Sequence, residues 1–234
     1  MIGNKVCFFE TLNSTNTYMK EHLEDFRDGD IICARKQTSG RGRREKNWIS
    51  FDGNLHFSFL VKNEDNKDLA FDLIMMVSNV MCKVLKKYGI KAHIKYPNDI
   101  IVKSRKIAGI LIERMVGEED CYVVGVGLNV STEDFDSLSH IATSIYLESN
   151  NQLDYRDVLW QFIKIYNETI NCKHCNLYEE YHNNSIVLGR NISISGESFL
   201  VKDINLFGEL ILMREGKEYI RQLSEVTLKE FYSE

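Results

Sequence analysis

A run of cations around two glycines, Gln37-Thr38-Ser39-Gly40-Arg41-Gly42-Arg43-Arg44-Glu45-Lys46-Asn47-Trp48, is the stretch best suited to hold an anion. Guanidinium groups offer paired N–H donors that match phosphate or carboxylate oxygens, and glycine lets backbone N–H groups approach such a ligand closely. Taken alone, the Arg-Gly-Arg-Arg string fits a solvated basic loop at least as well. A second stretch, Lys95-Tyr96-Pro97-Asn98-Asp99, holds the chain's single proline between apolar, strand-like segments. Asp99 there can orient Lys95, or it can stabilise the turn after Pro97 and Asn98. Two cationic stretches that meet in the fold could hold two negatively charged reactants together.

Other reactive side chains carry weaker signals. The six cysteines are Cys7, Cys33, Cys82, Cys121, Cys172 and Cys175, most of them inside apolar segments, which predicts buried thiols rather than a disulfide framework. Cys172-Lys173-His174-Cys175, with His182 nearby, has metal-ligand or redox spacing. No second paired-cysteine motif completes a zinc pattern, so free thiols at a helix end are expected there and no metal site. His22, His56, His93 and His140 lack paired spacing and are expected in packing or surface roles. Glu113, inside an apolar run, is expected to be a satisfied structural or supporting group. Trp48 can serve as a lid over a ligand or as simple core packing.

The elements that would position these residues can be read from spacing. Ser14-Thr15-Asn16 provides a cap for a helix expected from about Thr15 to Asp25. Leu73, Val77, Val80, Met81, Val84 and Leu85 recur at three and four until Gly89, predicting a core-facing helix. Val158, Leu159, Phe162, Ile163, Tyr166 and Ile170 predict another, beginning near Tyr155. Leu55, Phe57 and Phe59 alternate with His56 and Ser58 as in a strand with one face on a core. Ile107–Ile112 and Val123–Val130 read as fully buried strands, in which Gly109, Gly125 and Gly127 imply close approach of another group. After residue 184 short strands follow, Asn191–Ser195, Phe199–Val201, Glu209–Met213 and Tyr219–Gln222, punctuated by Gly196, Gly208 and Gly216. The expected organisation is a domain of residues 1–184 followed by a small β-barrel of residues 185–234.

At 234 residues and a net charge of −5, the chain is long enough for one substantial core and too acidic for an extended nucleic-acid surface. No basic leader and no long apolar span is visible, which predicts neither secretion nor membrane insertion. A reducing, cytoplasmic compartment fits the cysteine usage.

The order Gly-Arg-Gly-Arg-Arg…Trp, then Lys-aromatic-Pro-Asn-Asp, then Lys106-Ile107-Ala108-Gly109-Ile110-Leu111-Ile112-Glu113 resembles the biotin-protein ligases, the biotin–acetyl-CoA-carboxylase ligase family. The likeness extends from Ser14-Thr15-Asn16 to Gly125-Val126-Gly127-Leu128-Asn129-Val130 and includes the C-terminal β-module. It implies an α+β fold: a mixed sheet backed by helices, like the class II synthetases, followed by an SH3-like barrel. The implied reaction uses ATP with Mg2+ to form biotinyl-5'-AMP, then moves biotin to a lysine of a biotin carboxyl carrier protein or domain of a carboxylase. Ser14, Thr15, Asn16 and Gln37 match positions around the biotin ureido ring, and Gly40, Arg41, Gly42 and Arg43 match the loop that closes over biotin and its adenylate. Lys95 matches the lysine at the reacting phosphate and, with Arg43, is the expected catalytic residue; Arg41, Arg43, Lys95, Asn98 and Asn129 are the expected nucleotide contacts.

Two departures stand out. Glu45 replaces a usual glycine, which narrows the backbone conformations open to the flap, and Tyr96 replaces a usual tryptophan. Ser14 lies so near the start that the form expected is one without an N-terminal DNA-binding domain, and no DNA partner is expected. The resemblance allows a monomer or a homodimer. A lipoate or octanoate ligase would show Arg-Arg-x-Ser-Gly-Gly-Gly in place of Arg41-Gly42-Arg43-Arg44. A non-enzymatic nucleic-acid-binding module is opposed by the acidic total and by the apolar setting of Lys95.

Overall fold

The computed structural model describes residues 1–64, 67–117, 120–194 and 196–222, without the side chain of Glu45. Strands β1 (Val6–Leu12), β2 (Ile31–Gln37), β3 (Leu55–Lys62), β4 (His93–Lys95), β5 (Asp99–Val102), β6 (Arg105–Met115) and β7 (Cys121–Leu128) form a seven-stranded sheet in the order β1-β2-β3-β7-β6-β5-β4. Only β1 and β2 pair in parallel, so the sheet is mixed.

Alternation along the central strands assigns the two faces. Leu55, Phe57, Phe59, Val124, Val126 and Leu128 join the main core with helices α2 (Ala70–Lys87), α4 (Tyr155–Ile170) and α5 (Leu177–Asn184). The opposite face carries helix α1 (Thr15–Glu21) over a smaller cluster of Met19, Phe26, Ile32, Leu60, Cys121 and Val123. His56 and Ser58 point to this second face and are fully buried, so the polar side of β3 is not its solvent side. The expected alternation holds, and a polar site covers the second face.

The periodic helices form where the spacing predicts. Helix α2 ends in a Schellman arrangement: Gly89 has φ +77°, its N–H bonds to Lys86 O (3.1 Å), and Ile90 N–H bonds to Leu85 O (3.1 Å). Asp154 caps α4 by accepting from Arg156 N–H. Ser14 caps α1 as expected, but that helix stops at Glu21: His22 leaves the helical region, and Leu23–Asp25 forms a 3-10 turn. Cys172 and Cys175 are joined in a disulfide, contrary to the free thiols expected, because the turn after α4 brings their Cα atoms to 5.5 Å. A short helix α3 (Ile145–Ser149) follows the loop after β7.

Strands β8 (Asn191–Ile194), β9 (Glu197–Ile204), β10 (Leu210–Arg214) and β11 (Lys217–Arg221) make the second, antiparallel sheet expected of an SH3-like module. Residues 223–234, assigned to the same module from sequence, lie outside the described residues. Phe199, Val201, Ile204, Leu210 and Leu212 belong to the same apolar cluster as α2 and the large sheet, so a continuous core joins the two sheets.

Candidate active site

On the α1 face of the sheet, a cavity of about 390 Å³ runs from the start of α1 to the turn between β4 and β5. Ser14, Thr15, Asn16 and Gln37 line one end; Arg41, Gly42, Arg43, Lys95, Asn98 and Asn129 also reach it. Gly40 does not line it. Its backbone shapes the loop instead: Trp48 N–H bonds to Gly40 O (2.9 Å), and a Cβ on Gly40 would lie 2.6 Å from Trp48 O.

The neutral end is organised by a closed set of hydrogen bonds. Gln37 Oε1 accepts from Thr15 N–H (2.7 Å) and Thr15 Oγ1 (3.2 Å), which leaves the Nε2 donors of Gln37 for a ligand. Asn16 Nδ2 donates to Glu113 Oε2 (2.8 Å), and Lys20 Nζ holds the other oxygen of Glu113 at 2.6 Å. Ser58 Oγ lies 2.6 Å from Asn16 Oδ1 and 2.7 Å from Thr15 Oγ1. Asn16 can therefore offer a ligand the remaining lone pair of Oδ1. Glu113 is the satisfied supporting group that its apolar setting predicts. Gly125 makes this packing possible, since a Cβ there would stand 2.0 Å from Asn16 Oδ1.

At the other end, cations gather. Lys95 closes β4 and is buried, with 2% of its surface exposed. Burial is the main reason its amine is pulled down to about 8; Lys106 and Lys46 push the same way, and Asp99 opposes them. Arg43 extends Nη1 toward Asn98 Oδ1 (3.4 Å), and burial lowers its pKa from the ordinary value. Lys106, quoted in the sequence motif but given no role there, holds Asp99 Oδ1 at 2.6 Å and lies 5.1 Å from the Trp48 ring centroid. Arg41 instead turns to Thr17 Oγ1 on α1. Asn129 acts as a strut, accepting from Asn54 Nδ2 (3.0 Å) and donating to Thr143 O (2.9 Å). Asn98 Nδ2 donates to Ile110 O, tying the turn to β6.

Trp48 lies between the two ends. Its indole occupies the space left by Gly127 and Gly109, where added Cβ atoms would approach it to 2.6 and 3.1 Å. The close approach inferred for these glycines is thus filled by Trp48 at Gly127, by Lys106 and Trp48 together at Gly109, and by Asn16 at Gly125. Trp48 Nε1 is buried with no hydrogen-bond partner among the described residues.

A third region was missed by sequence reasoning. Phe51, Phe135, Leu138, Ile141 and Ala142 give the cationic end an apolar wall, with Phe51 and Phe135 edge-to-face at 5.1 Å. These residues follow no helical or strand period. The loop is located by backbone bonds from Lys106 N–H to Ile141 O and from Thr143 N–H to Lys106 O. Tyr96 keeps the aromatic plane of the residue it replaces and adds a hydroxyl, which donates to Gly208 O at 2.6 Å. Among the described residues no histidine lines the cavity; burial holds the His56 imidazole down to about 4.

The arrangement joins a neutral amide-lined pocket, a cationic centre and an apolar wall. The model of the biotin/lipoate A/B protein ligase family matches residues 8–129. The bifunctional ligase/repressor BirA of Escherichia coli is 35% identical over 133 residues, covering 55% of this chain and 41% of that protein. The Bacillus subtilis BirA is 28% identical over 240 residues, covering 95% of this chain and 73% of that one. The chain thus spans less than half the length of its Escherichia coli relative. Among solved structures, the biotin protein ligase from Aquifex aeolicus in complex with biotin and ATP superposes with a TM-score of 0.83 at 24% identity, over 97% of this chain and 99% of that one. The Leishmania major biotin protein ligase in complex with biotinyl-5-AMP has a TM-score of 0.62 at 20% identity, over 94% and 99%. The family match embraces the basic loop, the Lys95 turn and the glycines of β7 that frame the cavity, and the chain belongs to the biotin/lipoate A/B protein ligase family.

Proposed function

We propose that this chain is an ATP-dependent biotin-protein ligase, with residues 1–184 as its catalytic unit and 185–234 as an accessory module. The observation that carries the reading is the single cavity in which Gln37 and Asn16 face one end and Lys95, Arg43 and Lys106 the other. A ureido ring needs both a donor for its carbonyl and an acceptor for an N–H, and Gln37 Nε2 with Asn16 Oδ1 supplies that pair. Leaving either group unpaired would cost about 1 to 3 kcal/mol, which discriminates against acids lacking the ureido function.

A carboxylate oxygen of biotin attacks the α-phosphorus of ATP, the bond to the bridging oxygen breaks, and pyrophosphate leaves. Lys95 and Arg43 offset the repulsion between the two anions and the charge that gathers on the phosphoryl oxygens. The acceptor lysine, as a neutral amine, then attacks the biotinyl carbonyl carbon; AMP leaves and the amine's proton is lost as the amide forms. Trp48, already seated against β6 and β7, shields the mixed anhydride from water until that step.

Asp99 is the only carboxylate among the described cavity-lining residues, and it is engaged by Lys106. That donor set fits Mg2+ held chiefly by the nucleotide's phosphates, where it would neutralise phosphate charge. The acceptor proposed is a biotin carboxyl carrier protein or domain. The compartment proposed is the cytoplasm, favoured by Cys7, Cys33 and Cys82 lying outside any disulfide and opposed by the Cys172–Cys175 disulfide; no helix among the described residues is long and apolar enough to cross a membrane.

The test supplies ATP and Mg2+ with biotin, lipoate or octanoate in parallel and measures acid-stable transfer to a carrier domain. Transfer of biotin alone is expected. Transfer of lipoate without biotin would replace this reading with lipoate ligation.

A further inference from the structure

Lys95 sits on a weak foundation. Strand β4 has three residues and lies at the edge of the sheet, paired on one side with β5 and joined on the other by the isolated Ile94–Ser185 bridge. A buried cation on so short a strand must be held by what flanks it. The next residue, Tyr96, is buried, and its hydroxyl leaves the catalytic sheet altogether to donate to Gly208 O (2.6 Å) in the β9–β10 turn.

That turn is built to keep the carbonyl still. Gly208 has φ +79°, and a Cβ on it would meet the Phe71 ring at 2.5 Å. Asn205 Oδ1 accepts from the N–H groups of Phe207 (3.0 Å) and Glu209 (2.9 Å), while Gly208 N–H bonds to Asn205 O (2.9 Å). From the other side, the buried hydroxyl of Tyr181 donates to Pro97 O (2.7 Å), and its ring packs edge-to-face on Phe71. Tyr96 thus lies between the catalytic lysine and a proline whose carbonyl is also fastened, with no spare backbone to absorb a shift.

We propose that Tyr96 is a positioning residue for Lys95, and that through its hydroxyl the C-terminal sheet takes part in adenylate formation itself. The proposal rests on the ligase reading above. It differs from a purely structural bond in what it affects: a displaced Lys95 amine loses charge stabilisation in the transition state, whereas biotin, held at the far end by Asn16 and Gln37, binds as before.

The molecule contains its own control. Tyr178 also crosses to the C-terminal sheet by a hydroxyl, donating to Ile204 O (2.5 Å), but does not line the cavity. Tyr96→Phe and Tyr178→Phe, made in the full chain, are compared for ATP- and biotin-dependent adenylate formation well below their unfolding midpoints. Tyr96→Phe is expected to lower kcat roughly 10-fold with the KM for biotin within about twofold, and Tyr178→Phe to leave both unchanged while losing comparable stability. Asn205→Ala, which loosens the turn presenting Gly208, is expected to lower kcat in the wild-type background and to add little in the Tyr96→Phe background. Equal kcat in Tyr96→Phe and wild type, equal losses in both tyrosine variants, or additive effects of Asn205→Ala would overturn the proposal. Should Tyr96→Phe fail to fold, an unchanged kcat in Asn205→Ala overturns it and a lowered one supports it. If wild type forms no biotinyl-adenylate, the ligase reading fails first. ATP affinity then decides the proposal, with weaker binding in Tyr96→Phe than in Tyr178→Phe as the expected result.

Discussion

Gly125→Ala should damage biotin binding while leaving the nucleotide end intact. A Cβ at this position would stand 2.0 Å from Asn16 Oδ1 and 2.8 Å from its Cγ. Strand β7 is hydrogen-bonded to β3 on one side and β6 on the other, so its backbone has little room to yield. Asn16 must move instead, abandoning the contacts with Ser58 Oγ and Glu113 Oε2 that orient its amide. Losing the aligned ligand acceptor costs about 1 to 3 kcal/mol, or roughly 5- to 150-fold in biotin affinity. Overpacking adds a stability loss of about 1 to 3 kcal/mol. Calorimetric titration with biotin and separately with ATP reads the two ends independently. Gly89→Ala is the matched control: φ is +77° with nothing within 4 Å of the added Cβ, so it should lose about 1 kcal/mol of stability and no affinity. Unchanged biotin affinity in a folded Gly125→Ala protein, or a loss confined to ATP, would refute the assignment of this end to biotin.

Lys95→Met should reduce adenylate formation about 10²- to 10³-fold with thermal stability unchanged or raised, because a buried cation's desolvation cost is removed; parallel melting curves and rates check it, and joint loss of both would indicate a structural lysine. With the Lys95 amine lowered to about 8, kcat/KM for ATP should fall as pH rises through that value in the free enzyme, and Lys95→Arg should remove the limb. For stability the sign is opposite: between about pH 8 and the ordinary lysine value the unfolded chain binds the extra proton, so this group's contribution rises with pH there, and denaturant midpoints of wild type and Lys95→Met should converge across that range. The two tryptophans are Trp48 and the half-exposed Trp160, so in a Trp160→Phe protein a fluorescence change on adding biotin should report Trp48 alone; no change on saturation would separate Trp48 from the ligand.

Helices α2 and α4 were legible because each buries one stripe, and a stripe leaves a period of three and four in the sequence. The glycines of β6 and β7 were legible for a related reason: glycine within an apolar strand has few explanations other than close approach, here by Asn16, Trp48 and Lys106. His56 and Ser58 were legible as residues of the second face of β3 but not as buried ones, because alternation separates two faces and does not say what covers the second. The extent of α1 was overestimated by four residues because nothing in Leu23-Glu24-Asp25 announces that His22 leaves the helix. The apolar wall around Phe135 and Ile141 was invisible because its placement depends on hydrogen bonds to Lys106, more than 25 residues away in the chain. Cys172 and Cys175 were correctly flagged by spacing and wrongly resolved, since spacing does not say whether two thiols bond to each other.

The central claim is that Lys95 and its neighbouring cations join biotin's carboxylate to the α-phosphate before any acceptor arrives. Exchange of labelled pyrophosphate into ATP, measured without carrier protein, tests it most directly. Exchange that depends on biotin and is lost in Lys95→Met is the predicted result; exchange that persists without biotin, or survives intact in Lys95→Met, would contradict it.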